Sequence, residues 1–478
     1  MNYKIVRYFL GKIMILLSAI MIIPLAASIY FKEDGIIEYL IPITALAVLG
    51  GLCIIKKPKK ANVHIREGFL ICTLSWIIMS LFGALPFYIS GEIPCFTDAF
   101  FETVSGFTTT GSTLLTDIES MSESLLFWRS FTHWLGGMGV LVFALAILSQ
   151  KDTKTMFIMR AEVPGPKVGK LVSKTRFTAR ILYGIYTGLT IIEIIMLLAG
   201  GMPLFDAVTT SLSTAGTGGF SPRNASIAYY GSAYVEYVVT VFMILFGVNF
   251  NLYYFLLIRH FKDVLKNEEL KWYFVIILGA TAIITGNIYS LYKSLEPAFR
   301  AAFFQVGSII TTTGFITADY GKWPALSQFI IIFIMFFGAC AGSTGGGLKI
   351  IRVILLVKNS IREIGHAINP RVVTTVKIDS HMVDDKMTAQ TTAYFAVYMV
   401  VIALSIMLVS IDNLTLAESS TSVITCINNI GPGLGVVGPV GNFSSLSHMS
   451  KWVLIFDMLA GRLELFPVLA LLRPSFWK

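Results

Sequence analysis

The chain has 478 residues, 55% of them hydrophobic and only 14% charged, with a formal net charge of +9. So few charges could not clothe a soluble surface of this length, so the composition describes a polytopic membrane protein. The basic excess lies in the segments between apolar runs, and no nucleic-acid partner is needed to explain it.

A helix needs about 20 mostly apolar residues to cross the hydrocarbon. Such runs occur near 6–31, 36–55, 68–90, 124–149, 179–200, 232–258, 272–292, 325–357, 389–410 and 451–472. The first lacks a small-residue cleavage site and is followed at once by another span, so it reads as a retained helix and not a signal peptide. Basic residues follow the even-numbered spans: Lys56, Lys57, Lys59, Lys60 and Arg66; then a cluster over 151–180; then Arg259, Lys262, Lys266 and Lys271; then Lys358, Arg362, Arg371, Lys377 and Lys386. The segment 91–122 carries Glu92, Asp98, Glu102, Asp117 and Glu119 with no Lys or Arg. The positive-inside rule therefore puts both termini in the cytoplasm. The five cysteines and six histidines are scattered and show no metal or disulfide spacing.

Between the spans a unit repeats four times: full span, short apolar segment, polar strip ending in glycine, full span. The short segments lie near 95–107, 203–212, 296–309 and 415–427, too brief to cross, and read as re-entrant half-helices. The strips are Thr108-Thr109-Thr110-Gly111, Ser213-Thr214-Ala215-Gly216, Thr311-Thr312-Thr313-Gly314 and Asn428-Asn429-Ile430-Gly431. Irregular backbone at membrane depth survives only where protein buries it or where it lines a wet cavity. Four such strips around a pseudo-fourfold axis would supply that cavity. Their carbonyls would replace the hydration shell of a cation, and the half-helix C-termini would favour positive charge at the centre. The expected fold is therefore all-α and polytopic, with repeats at 68–178, 179–268, 269–388 and 389–478 around a central pore, preceded by an N-terminal two-helix hairpin at 1–67.

The second span of each repeat carries small residues or a break, at Gly136-Gly137-Met138-Gly139, Gly247-Val248-Asn249, 338–347 and Ala460-Gly461-Arg462. Close helix packing accounts for the first two. The third has five glycines in ten residues, Gly338, Gly342, Gly345, Gly346 and Gly347, with Ser343 and Thr344 among them. It reads as an intramembrane loop below the strips with a gating role. Arg462 sits mid-span, where a charge is expensive and usually functional. Glu464, two residues on, does not share its helix face, so Arg462 is expected to line the pore as part of the gate.

These local sequences resemble the Trk/Ktr/HKT superfamily of bacterial potassium transporters, most closely its TrkH-type membrane subunits. The resemblance rests on 100–111, on Trp128-Arg129-Ser130 with 133–139, on 213–221, on 311–315 and on 428–435, and it covers nearly the whole chain. It implies potassium uptake across the bacterial cytoplasmic (inner) membrane. The implied ion contacts come from Thr109, Thr110, Thr214, Ala215, Thr312, Thr313, Asn429 and Ile430, each pair ahead of Gly111, Gly216, Gly314 or Gly431. Glycine at all four of those positions implies potassium preference over sodium. It further implies a homodimer with one pore per protomer and a cytoplasmic TrkA-type subunit that binds the regulatory nucleotide (ATP/ADP or NAD). This chain has no Gly-x-Gly-x-x-Gly after a strand, so potassium is the only ligand expected on it. A cation-coupled secondary transporter is the alternative; it would need inverted repeats and polar groups for a solute. A sodium-permeable member of the same superfamily is another. A membrane enzyme would have to use Glu102, Arg129 and His133, which read instead as anchors of the first half-helix.

Overall fold

A computed structural model describes residues 1–58, 64–139, 175–372 and 374–477. The inner half of the predicted span 124–149, and the predicted basic segment 150–180 as far as 174, lie outside the described residues. Among those described, six helices are long and apolar enough to cross a membrane: Tyr3–Tyr30, Ile36–Ile54, Ile65–Ile89, Ala179–Ala199, Glu268–Tyr292 and Asp385–Asp412. The first two pair as the N-terminal hairpin, and the remaining four are the opening spans of the four repeats. Their ends follow local capping chemistry: Asn267 accepts from Leu270 N at 2.8 Å and Asp384 from Lys386 N at 3.1 Å, each satisfying an orphan N–H of a first turn.

Each opening span leads into a half-helix, at Phe96–Phe107, Leu204–Gly216, Leu295–Ile310 and Leu416–Ile427. All four have an acid in the first turn, respectively Asp98, Asp206, Glu296 and Glu418, where it complements the helix dipole. The fourth carries a capping box: Glu418 N donates to Thr415 Oγ1 at 3.3 Å, and Thr415 N donates to Glu418 Oε2 at 3.0 Å.

The second spans carry the breaks or small-residue clusters read from the sequence, and among the described residues three of them resume as a second helix beyond the break. Glu123–Gly137 ends at its glycine pair. Ala233–Phe246 and Phe250–Leu257 meet at 91° across Gly247-Val248-Asn249. Ala325–Met335 gives way to a loop and then to Ile350–Ile368. His448–Arg462 stops before Phe466–Leu472, with Glu464 at φ +59° and Leu465 at φ +49°. For Gly247-Val248-Asn249 the sequence favoured simple packing, and the structure puts a sharp bend there instead. The loop of 338–347 is closed at its neck by a two-residue parallel ladder, Phe337 against Leu348 and Gly338 against Lys349.

Candidate functional site

The left-handed turn after the half-helix falls within the strip read from the sequence in three repeats, and beyond it in the second. Each half-helix ends on a residue in left-handed conformation: Thr109 (φ +56°), Thr217 (+54°), Thr312 (+59°) and Asn429 (+55°). Each of these N–H groups bonds three residues back, to Gly106, Thr214, Ile309 and Cys426 oxygens. The next N–H bonds five back: Thr110 to Ser105 at 2.8 Å, Gly218 to Ser213 at 2.9 Å, Thr313 to Ser308 at 2.8 Å and Ile430 to Thr425 at 2.9 Å. That double pattern is a Schellman end, usually built on glycine. Here three β-branched threonines occupy it, at a cost of about 1–3 kcal/mol each. Strain repeated at equivalent positions marks backbone held for a purpose.

The residue two places on is a glycine with positive φ in every repeat: Gly111 (+79°), Gly219 (+79°), Gly314 (+83°) and Gly431 (+104°). These four glycines meet around one centre. A Cβ on Gly111 would lie 2.0 Å from Gly218 O, and one on Gly219 would lie 2.0 Å from Thr313 O. On Gly314 it would be 2.1 Å from Ile430 O, and on Gly431 2.9 Å from Thr110 O. Each repeat's glycine thus abuts the carbonyl just ahead of the next repeat's glycine, and the fourth returns to the first. The ring closes. All four glycines also line one vestibule, together with Ser112, Phe220, Ile316 and Pro432.

The second strip is therefore Thr217-Gly218-Gly219, its glycine three residues later than the sequence reading. Thr214, Ala215 and Gly216 belong to the half-helix Leu204–Gly216, and Thr214 Oγ1 donates to Thr210 O within it at 2.9 Å. A helical carbonyl cannot face the centre. Gly216 has a different task, close packing: its Cβ would stand 2.3 Å from His133 O. The misplacement arose because Ser213-Thr214-Ala215-Gly216 looks like the other strips and two further glycines, Gly218 and Gly219, compete nearby. A signal was present in Phe220, which follows Gly219 as Phe315 follows Gly314.

Glu102, Arg129 and His133 pack between the first two strips. Arg129 Nε pairs with Glu102 Oε1 at 2.7 Å, both side chains buried, and Arg129 Nη1 donates to Ser221 O at 3.1 Å. Glu102 also accepts from Thr113 Oγ1 at 2.9 Å and Leu114 N at 3.0 Å. This fixes the segment just beyond Gly111 to that just beyond Gly219. His133 stacks on Phe220 with ring centroids 4.1 Å apart.

On the other side of the strips lies the 338–347 loop. Gly346 N donates to Thr312 Oγ1 at 2.7 Å. A Cβ on Gly346 would meet Asn428 O at 2.6 Å, and one on Gly345 would meet Thr311 O at 3.0 Å. The loop also engages the bend of the second repeat: Cys340 N donates to Gly247 O, and Phe250 N to Gly342 O, both at 3.0 Å. Thr344 Oγ1 donates to Phe246 O at 3.2 Å, while Ser343 Oγ turns back to Cys340 O at 2.7 Å. Gly338 and Gly347 form the neck, where a Cβ on Gly338 would meet Gly346 O at 2.2 Å.

Arg462 joins the loop to two other repeats. Its Nη1 donates to Thr344 O at 2.8 Å, and its Nη2 donates to Gly137 O at 2.8 Å and to Gly136 O. Glu464 turns instead to Arg352, at 2.6 Å, and Asp457 accepts from Ser405 at 2.8 Å. Two contributors went unread in the sequence. Lys349, grouped with no cluster, is buried and donates to Gly345 O. Glu269, at the start of a span, accepts from Ala341 N at 2.8 Å and Ile351 N at 3.0 Å, tying down both limbs of the loop.

Residues 41–478 match the family described as TrkH, cation transport protein. The Trk system potassium uptake protein TrkH of Salmonella typhimurium is 37% identical over 485 residues, covering all of both chains. That of Escherichia coli K12 is 37% identical over 487 residues, again end to end. The Trk system potassium uptake protein TrkG of Escherichia coli K12 is 32% identical, covering all of this chain and 99% of that one. The crystal structure of the potassium transporter TrkH from Vibrio parahaemolyticus superposes with a TM-score of 0.90 at 31% identity, covering 100% of each chain.

Proposed function

The chain belongs to the TrkH family of cation transport proteins, and from that premise we propose how it works as the membrane subunit of a potassium-uptake system. Potassium passes along the axis of the four strips and is held by backbone oxygens. The oxygens of Thr110, Gly218, Thr313 and Ile430 form one ring, and those of Thr109, Thr217, Thr312 and Asn429 form the next. The observation that carries this reading is the cyclic abutment of Gly111, Gly219, Gly314 and Gly431 on the carbonyls of their neighbours. Four strips packed so closely hold their oxygens at fixed separations without burying formal charge, which is what dehydrating a monovalent cation requires. The chain works as a conductor and not as a catalyst, and potassium is the ion it carries.

The loop of 338–347 and Arg462 form the gate. Gly338, Gly342, Ser343, Thr344, Gly345, Gly346 and Gly347 supply a backbone that can rearrange, and Arg462 supplies a positive charge on the ion's path. The repeats bounded at 68–178, 179–268, 269–388 and 389–478 each contribute one side of the pore. Both termini face the cytoplasm of a bacterial inner membrane, the assembly is a homodimer, and a TrkA-type nucleotide-binding subunit docks on the basic cytoplasmic segments 150–180 and 358–388. The test is rubidium and sodium uptake by a transport-deficient host expressing the chain with and without such a subunit. Potassium-like selectivity that persists in both, with flux that responds to the subunit, supports the reading. Equal passage of sodium and rubidium would refute the filter assignment.

A further inference from the structure

The vestibule side of the first half-helix carries a cluster of groups that ion conduction does not use. Cys95 Sγ, a carboxylate oxygen of Asp98 and a ring nitrogen of His448 all lie within 4.8 Å of one another. Cys95 is the residue before the half-helix Phe96–Phe107, and Asp98 is in its first turn. His448 opens the helix His448–Arg462, more than three hundred residues along the chain. The two helices are already held together here. Lys451 Nζ pairs with Asp98 Oδ1 at 2.9 Å, and Phe100 packs on Trp452 with centroids 5.6 Å apart.

We propose that Cys95, Asp98 and His448 form a site for a soft or borderline divalent cation of the Zn²⁺ or Cd²⁺ class. Thiolate, imidazole and carboxylate are the donor set such ions select, and three protein donors leave a fourth position for water. Around a tetrahedral ion with bonds of about 2.0–2.3 Å, donors stand roughly 3.5 Å apart. The present separations, none above 4.8 Å, exceed that by little more than 1 Å, and of the three side chains His448 is exposed and the other two half-buried. Binding takes the cysteine as thiolate and releases its proton to solvent. The ammonium of Lys451 competes with the metal for Asp98, so its removal should strengthen binding.

The site has a mechanical consequence. One helix that it would staple ends in the strip Thr108–Gly111, and the other ends at Arg462. Occupancy from the vestibule side should restrain the first half-helix against the helix that carries the arginine, and slow transport.

The experiment titrates the purified full-length protein with Cd²⁺ against a chromophoric metal indicator, and measures rubidium uptake in cells given external Cd²⁺ and then a chelator. One Cd²⁺ should bind per chain, and uptake should fall reversibly. Cys95→Ser and His448→Ala should each weaken binding by at least about tenfold, since even losing a partner behind a ligand costs that much. Lys451→Gln should tighten it. A parent that binds no Cd²⁺, serine and alanine variants that bind as the parent does, or a Lys451→Gln variant that binds more weakly would each overturn the proposal. None of these outcomes bears on the filter, whose selectivity is read separately.

Discussion

Placing the second strip at Gly219 instead of Gly216 is testable by a pair of single methyl groups. In Gly219→Ala the new Cβ would stand 2.0 Å from Thr313 O. Carbon and oxygen need roughly 3 Å at the least, so one of the two backbones must move by about 1 Å. Residue 219 must also keep φ near +79°, which costs an L-residue about 1–2 kcal/mol. Relieving the overpacking costs a further 1–3 kcal/mol or so. Thr313 O is one of four oxygens in a proposed ion ring, so a displacement of that size changes coordination directly. If about 1.4 kcal/mol of the total falls differently on potassium and sodium, the permeability ratio changes tenfold. Gly216→Ala is the control. Its Cβ would meet His133 O at 2.3 Å, so it too is costly, but it lies in a helix behind the strip. It should lower the yield of folded protein and leave the ratio alone. The assay is the rubidium-to-sodium flux ratio in proteoliposomes, normalised to reconstituted protein. A Gly219→Ala protein with the parental ratio, alongside a Gly216→Ala protein with an altered one, would restore the original register and refute the reasoning.

Shortening the 338–347 loop, or replacing Arg462 by Gln, should raise rubidium flux without changing the flux ratio; a folded deletion that conducts no faster than the parent counts against the gate. Glu102→Gln should leave the buried Arg129 charge without its partner and cost about 3–5 kcal/mol, seen as a lower melting temperature and poorer recovery in detergent, whereas a parental melting profile would show the pair to be dispensable. The Thr415 hydroxyl, helped by the amides of Val436 and Thr415, holds the Glu418 carboxyl below its usual value of 4.5. Its contribution to stability is therefore present above that value and lost as pH falls through the lower folded-state one. The melting-temperature gap between parent and Glu418→Gln should stay constant from pH 7 to about 5 and then close, and a gap that widens on acidification contradicts the capping assignment.

What the sequence could carry depended on whether the physics was local. Half-helix positions were legible because a short apolar run, an acid in the first turn and a following glycine are all near neighbours in the chain. The turns that end the first, third and fourth half-helices were legible for the same reason. The second was not, because register among Gly216, Gly218 and Gly219 is decided by which carbonyl of another repeat each glycine must clear. The breaks in the second spans were legible only where glycine advertised them. In the last span Gly461 marked the break, while the left-handed turn itself falls on Glu464 and Leu465, residues that discourage it. Lys349 and Glu269 were invisible for a related reason. A lone lysine inside the span 325–357 and a glutamate just ahead of the span 272–292 announce no partner, and only the folded chain shows both buried against the loop.

The interrupted spans and Arg462 bear on the same physical problem. A helix broken at membrane depth leaves carbonyl oxygens without intrahelical partners, and each must find a donor or face water. Arg462 answers at two such sites, for the carbonyls of Gly136 and Gly137 at the end of the first repeat's helix and for Thr344 O in the loop. Lys349 does the same for Gly345 O. If Arg462 lies on the ion's path, as proposed, a guanidinium held by carbonyls from two other repeats would block conduction and stabilise the packed loop at once. On the proposed reading, opening requires those carbonyls to exchange the guanidinium for water. A water-filled passage supplies that water, and a dry one does not. Hydration of the cavity and withdrawal of the arginine are then a single step, so any subunit that pulls on the helix Ile350–Ile368 at the end of the loop acts on both together.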